Sequence, residues 1–266
     1  MKINEQYHNL SLLENVTYEF LGRDGETHEE TEPILVEHMM DVYVNERLTM
    51  KLVCIPEHLA ELVLGRLFTE GIISSADDVD QIYICEFGKR ARVILSKNKS
   101  GQPHEENEDY VAPTPTCCTG NHILNDYFVS GQTPKTVPSI NWKPDWIFQM
   151  ADAFADGMPL HSTTFATHSC LLARNGQILF SCEDIGRHNA LDKVIGYALR
   201  NQIDLRECIV YSSGRIPTDM AMKAIYAQIP ILASKASPTV EAIELAKEYH
   251  LTLICAARRD RMKVFS

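Results

Sequence analysis

The sequence predicts an α/β protein in two parts: a C-terminal half of βαβ units around a mixed sheet, and a smaller α+β N-terminal half. Three observations predict this. From residue 207 onward, short apolar runs alternate with amphipathic stretches of helical length, the rhythm of parallel strands joined by right-handed crossovers. Just upstream, residues 170–173 and 177–181 flank Asn175-Gly176, the dipeptide that best suits a tight hairpin turn. Ahead of both, residues 16–95 hold several strand-like runs and a single helical stripe.

Taken in order, residues 16–21 predict an edge strand within a polar start. Residues 33–55 predict an antiparallel meander broken at Asn45-Glu46-Arg47. Pro56 suits the first position of a helix, where its missing N–H is no loss. Leu59, Leu62, Val63, Arg66 and Leu67 then mark one helix face, and Gly71 ends it. Residues 82–84 and 91–95 form the next strand pair. Residues 97–115 carry Asn, Gly, Pro and acidic groups with little to bury, which predicts a long loop. A short helix or turn is expected at 123–129. Residues 131–144 are a Pro-containing linker, which places the boundary between parts 1–135 and 136–266. A helix over 145–156 opens the second part. After the hairpin, residues 208–211, 229–233 and 251–255 are strands. Residues 217–227 and a segment from Ser237-Pro238 to Tyr249 are the helices between them.

Composition narrows the class. Apolar residues at 45% and charged residues at 23% are those of an ordinary globular chain of 266 residues. With 25 basic and 36 acidic residues the net charge is −11, which argues against a nucleic-acid-binding face. No apolar run approaches the roughly 20 residues needed to span a bilayer, and the start lacks the apolar core of a secretion signal. A cytoplasmic location without membrane insertion is therefore expected. In that reducing compartment Cys54, Cys85, Cys170, Cys182, Cys208 and Cys255, each in or beside an apolar run, read as small buried hydrophobes.

Two stretches carry more chemistry than folding needs. The first is Cys182-Glu183-Asp184-Ile185-Gly186-Arg187-His188-Asn189, between the hairpin and a helix whose apolar face is Leu191, Val194, Ile195, Ala198 and Leu199. Asn189 has the side chain of an N-cap, and polar strand-to-helix turns hold anions against free helix N–H groups. Asp184, Gly186, Arg187, His188 and Asn189 are therefore candidate ligand contacts, as is His168, which with His161 flanks the segment before the hairpin.

The second is the edge where parallel strands end, the usual ligand edge of an open α/β sheet. There the sequence places Ser213, Gly214 and Arg215, then Lys235, then Ala256, Ala257, Arg258, Arg259, Asp260 and Arg261. Cations set against a negative global charge favour a phosphate-bearing ligand such as a nucleotide or dinucleotide. There is no P-loop and no Gly-x-Gly-x-x-Gly turn. Cys117 and Cys118 stand together in the polar loop Thr114-Pro115-Thr116-Cys117-Cys118-Thr119-Gly120-Asn121-His122. Adjacent cysteines chelate one tetrahedral ion poorly, and the paired motifs of zinc deaminases are missing. A strained vicinal disulfide, a sulfur nucleophile on a loop and an inert pair remain. A thiolate near cationic side chains is the reactive form.

Three segments carry a family resemblance: Gly65-Arg66-Leu67-Phe68-Thr69-Glu70-Gly71-Ile72-Ile73, the run from Glu183 through Arg187-His188-Asn189 to Gly196, and residues 251–265. They resemble the FdhD family of accessory sulfur carriers for formate dehydrogenase, over nearly the whole chain from about Glu32. The resemblance implies a cytidine-deaminase-like C-terminal domain without the zinc ligands, and a homodimer. It implies a sulfurtransferase role: a persulfide is taken from a cysteine desulfurase and its sulfur is passed to molybdenum bis(molybdopterin guanine dinucleotide), ahead of insertion into the formate dehydrogenase catalytic subunit. A GDP-like nucleotide is the expected surrogate ligand. The first cysteine of the family's Cys-Gly-x-Cys-Gly matches Cys118; the second falls at Asn121, and Cys117 is an extra neighbour. The family's Thr-Gly-Gly-x-His appears as Thr164-Phe165-Ala166-Thr167-His168. The cofactor-binding segment matches residues 256–261, with Ala256 where an aromatic is expected.

Overall fold

The computed structural model describes residues 1–96, 113–114 and 134–266. Cys117, Cys118, the segment expected as a turn at 123–129, the expected loop apart from residues 113–114, and the first three residues of the linker lie outside the described residues. Among the described residues, fourteen strands form three sheets. The first runs in the order β1 (Lys2–Glu5), β6 (Val79–Ile84), β7 (Arg90–Leu95), β4 (His38–Val44), β5 (Arg47–Cys54), β8 (Pro113–Thr114). The second runs β10 (Gln177–Asp184), β9 (His168–Arg174), β11 (Cys208–Ser212), β12 (Ile231–Ser234), β13 (Thr252–Cys255), β14 (Lys263–Val264). A separate ribbon pairs β2 (Leu13–Leu21) with β3 (Thr27–Leu35). The α-helices among the described residues are α1 (Leu59–Thr69), α2 (Pro144–Gly157), α3 (Pro159–Thr164), α4 (Arg187–Arg200), α5 (Thr218–Tyr226) and α6 (Val240–Glu248).

The mixed α/β class agrees with the sequence, and so do the Asn-Gly hairpin β9–β10 and the pair β6–β7. β11, β12 and β13 are parallel neighbours, so their carboxyl ends share one rim. Several details differ. The expected meander is only the β4–β5 hairpin; β3 pairs instead with β2 in the ribbon. Pro56 does not open α1, which starts at Leu59 behind His58 in a left-handed conformation at φ 53°. α6 starts at Val240, capped by the Thr239 hydroxyl, which accepts from Ala242 N at 3.2 Å. β1 is polar in sequence and shows no alternation strong enough to mark it; its pairing with β6 is what makes it a strand.

Both faces of the second sheet are buried, which is why its strands read as nearly continuous apolar runs. Leu171, Ile209, Ile231 and Ile254 face α2 with Ile147, Met150 and Phe154. Leu172, Val210, Leu232 and Leu253 face a larger core that continues through α4 and α1 into Met40, Leu52, Ile82 and Val93 of the first sheet. The strands of the two large sheets come from different halves of the chain, yet one apolar cluster joins them. Of the described cysteines, Cys54, Cys170, Cys182, Cys208 and Cys255 are buried and Cys85 is half-buried.

The contact between α1 and α4 is made by backbone. A Cβ on Gly65 would lie 1.8 Å from Asp192 O, and one on Gly196 would lie 1.8 Å from Glu61 O. Beside this crossing sits a buried ionic group. Asp192 receives Lys223 Nζ at 2.7 Å on both oxygens, Thr69 Oγ1 at 2.8 Å and Arg66 at 3.5 Å, while Arg66 also pairs with Glu70 at 2.7 Å. The segment from Gly65 to Glu70 is thus a helix-packing motif with its own charge compensation.

Candidate functional site

The turn after β10 is built from inside the protein. Asp184, fully buried, pairs with Lys193 Nζ at 2.7 Å and accepts from Ile55 N at 3.3 Å. Asn189 does not cap α4; Gly186 holds that position. The Asn189 amide donates instead to Asp184 Oδ1 at 2.9 Å and to Val53 O at 2.7 Å. These groups tie the turn to the end of β5, and neither Asp184 nor Asn189 lines a cavity. His188 is buried against Asp219 Oδ2 at 3.1 Å. Burial lowers its pKa, an effect that the Asp219 carboxylate opposes. All three residues, expected from the sequence as ligand contacts, have their polar groups committed inward in the fold.

Arg187 differs. It lies across Gly214, where an added Cβ would stand 3.0 Å from its own Cβ, and its buried Nε has no hydrogen-bond partner among the described residues. It acts electrostatically on His168, whose pKa is lowered first by burial and then by this guanidinium. His168 Nδ1 shares a hydrogen bond with Ser213 Oγ at 3.2 Å, and Ser213 Oγ also accepts from Ser169 N at 2.9 Å.

The rim is laced together by backbone. Lys235 N donates to Ser212 O and Ala257 N to Ser234 O, each at 3.0 Å, while Ser234 Oγ donates to Gly214 O at 2.6 Å. Ala256 holds φ +50°, a strained value for a residue with a Cβ, and donates its N–H to Ala236 O at 2.9 Å. Over this rim opens a cavity of about 370 Å³ lined by His161, Thr167, His168, Ser213, Lys235 and Arg258 with Phe154, Phe165, Ala166, Ile185 and Ala236. None of the lining residues is acidic. Lys235 Nζ stands 4.8 Å over the Phe154 ring, and the Arg258 guanidinium donates to Lys235 O. A second cavity of about 310 Å³ shares Phe154, Lys235 and Arg258 and adds Tyr211, Ala257, Arg259, Asp260 and Arg261.

The structure therefore brings together His168, Ser213, Lys235 and Arg258 around one space. Arg259, Asp260 and Arg261 stand at the adjoining one, where Arg259 is paired with Asp156 and, at 3.8 Å, with Asp152. Arg215 is exposed and lines neither. The aromatic wall was not foreseen. Phe154 is the end of the inward stripe of α2, which the helical spacing contains, and Phe165 follows α3, a helix too short to mark itself in sequence. The buried Glu183 carboxylate sets that wall: it accepts from Leu160 N at 2.9 Å, His161 N at 2.7 Å and Thr167 Oγ1 at 2.8 Å, holding the N-terminus of α3. Cations, imidazoles and aromatic faces without carboxylates suit an anionic ligand that carries a ring.

The model of the FdhD/NarQ family matches residues 35–266. The chain belongs to this family. Proteins named sulfur carrier protein FdhD are similar to it over most of their length. One from Listeria monocytogenes serotype 4b is 31% identical over 236 residues, 88% of this chain and 89% of its own. Another from Bacillus pumilus is 31% identical over 247 residues, 92% of each. A crystal structure from Desulfotalea psychrophila, described as a formate dehydrogenase accessory protein, superimposes with a TM-score of 0.77 at 26% identity, covering 96% of this chain and 97% of that one. Phe165, at the cavity wall, is left-handed at φ 53°, a conformation that favours glycine. No helix among the described residues is long and apolar enough to cross a membrane.

Proposed function

We propose that this chain is a cytoplasmic, homodimeric sulfurtransferase of the FdhD/NarQ family that serves a formate dehydrogenase catalytic subunit. Its cargo is molybdenum bis(molybdopterin guanine dinucleotide), and its sulfur comes from a cysteine desulfurase. The observation that carries the reading is the acid-free cavity at the shared rim, where Lys235 and Arg258 meet aromatic faces, the chemistry that phosphate and guanine call for. His161 and His168 offer hydrogen bonds to the same space, and the adjoining cavity gives a large dinucleotide room to extend.

In the first transfer the Cys118 thiolate attacks the outer sulfur of the donor persulfide. The donor's S–S bond breaks, its cysteine leaves as thiolate, and Cys118 holds the new S–S bond. Release of that sulfur as sulfide takes two electrons from a second thiol, which this reading assigns to Cys117. Incubation with a cysteine desulfurase and free cysteine adds one sulfur mass to the peptide bearing Cys117 and Cys118, read by mass spectrometry. Cys118→Ala removes the increment and abolishes dehydrogenase maturation while GDP binding persists. Maturation that survives in this variant leaves a cofactor chaperone without sulfur transfer.

A further inference from the structure

The β2–β3 ribbon has no place in that chemistry. All of it but Leu35 precedes residues 35–266, the segment that the family model matches, and it forms its own two-stranded sheet with nine cross-strand pairs. Isolated two-stranded ribbons are marginal in water and leave open edges that other strands add to. Most of its residues are exposed, on both faces.

Its two faces are unlike. The register places Val16, Tyr18 and Phe20 on the same face as Glu32, Glu30, His28 and Ile34. Val16, Phe20 and Ile34 are each more than two-fifths exposed. The carboxylates between them are held in order: Tyr18 Oη donates to Glu30 at 2.8 Å and to Glu32 at 3.3 Å, and His28 pairs with Glu30 at 2.8 Å. Residues 13–35 contain seven acidic residues and one arginine, more than half of the chain's net charge of −11. Like charge repels a second copy of the ribbon, nucleic acid and anionic lipid. A strand that alternates apolar and cationic side chains presents every cation to one face, where Glu30 and Glu32 stand as same-face neighbours.

Its root is beside the candidate site. Ile34, Leu35 and Glu37 line a small cavity together with Ala166 and Ile185, and these last two also line the main cavity. A chain seated along the ribbon thus arrives at the rim where cargo binds.

We propose that the β2–β3 ribbon is a docking arm for a partner protein, which adds an extended strand of alternating apolar and lysine or arginine residues along the outer edge of β3. The cationic side chains meet Glu30 and Glu32 on one face, the apolar ones lie on the other beside Thr31 and Pro33, and main-chain hydrogen bonds complete the edge. The proposal does not depend on sulfur transfer, since it concerns the ribbon alone.

The test uses the full chain and a ten-residue synthetic peptide alternating lysine and valine, with a glutamate–valine peptide as control. The lysine–valine peptide binds saturably, its affinity falls with salt, and amide hydrogen exchange slows at residues 13–35. Glu30→Lys/Glu32→Lys weakens it at least tenfold, while the charge-matched Glu244→Lys/Glu248→Lys on exposed α6 changes it less than twofold. Equal loss in both variants, protection elsewhere, or no binding overturns the proposal. Protection of the ribbon that rises with protein concentration and without peptide also overturns it, because a second copy is then the occupant.

Discussion

At the scale of single residues, the histidines show how position decides chemistry. Burial is the main cause that lowers the pKa of His58, His168 and His188. The folded chain therefore keeps them neutral at a pH where the unfolded chain binds protons. Stability should then rise with pH through the ordinary histidine range and be lost as pH falls through it. Urea midpoints measured between about pH 7.5 and 5.5 should fall on acidification, and His188→Gln should flatten that slope. A variant as steep as the wild type would mean that His188 is already charged in the fold. Ligand contacts are a second case. Lys235→Ala should weaken GDP binding on the order of tenfold, the loss of one charge-assisted contact, measured by calorimetry. Sequence made His168, Ser213, Lys235 and Arg258 legible because they sit at strand ends. It did not show that Asp184 and Asn189 turn inward, since nothing local reveals that Val53 and Ile55 reach across to use them.

At the scale of elements, two glycines decide how the halves meet. Gly65 and Gly196 let the α1 and α4 backbones touch, and what faces each is a carbonyl that cannot rotate away. Gly65→Ala should destabilise by at least about 3 kcal/mol, more than ordinary overpacking, because a rigid neighbour must move. Denaturant unfolding measures it; a loss under about 1 kcal/mol would show that the helices slide apart freely. The inner strands β9, β11, β12 and β13 of the second sheet were readable because each run is apolar on both faces. The short α3, the polar β1 and the true start of α1 were not, since each depends on a distant partner: the Glu183 carboxylate for α3, β6 for β1, and the Asp184–Lys193 anchor ahead of α1. Motifs built on backbone proximity look like ordinary helix in one dimension.

At the scale of the molecule, one core joins two sheets drawn from different parts of the chain. The full chain should unfold in a single cooperative step by circular dichroism and tryptophan fluorescence together, and residues 136–266 expressed alone should lack a sharp transition. Two separate transitions would show that the sheets are independently stable. The same enclosure has an outcome for sulfur itself. Burial pushes the Cys208 thiol up to about 11, those of Cys170 and Cys255 to about 12, and those of Cys54 and Cys182 well above the usual range. These five scaffold thiols are thus walled off as protonated, inert groups, so that under the proposed transfer none of them would stand as a bystander nucleophile in the sulfur's way.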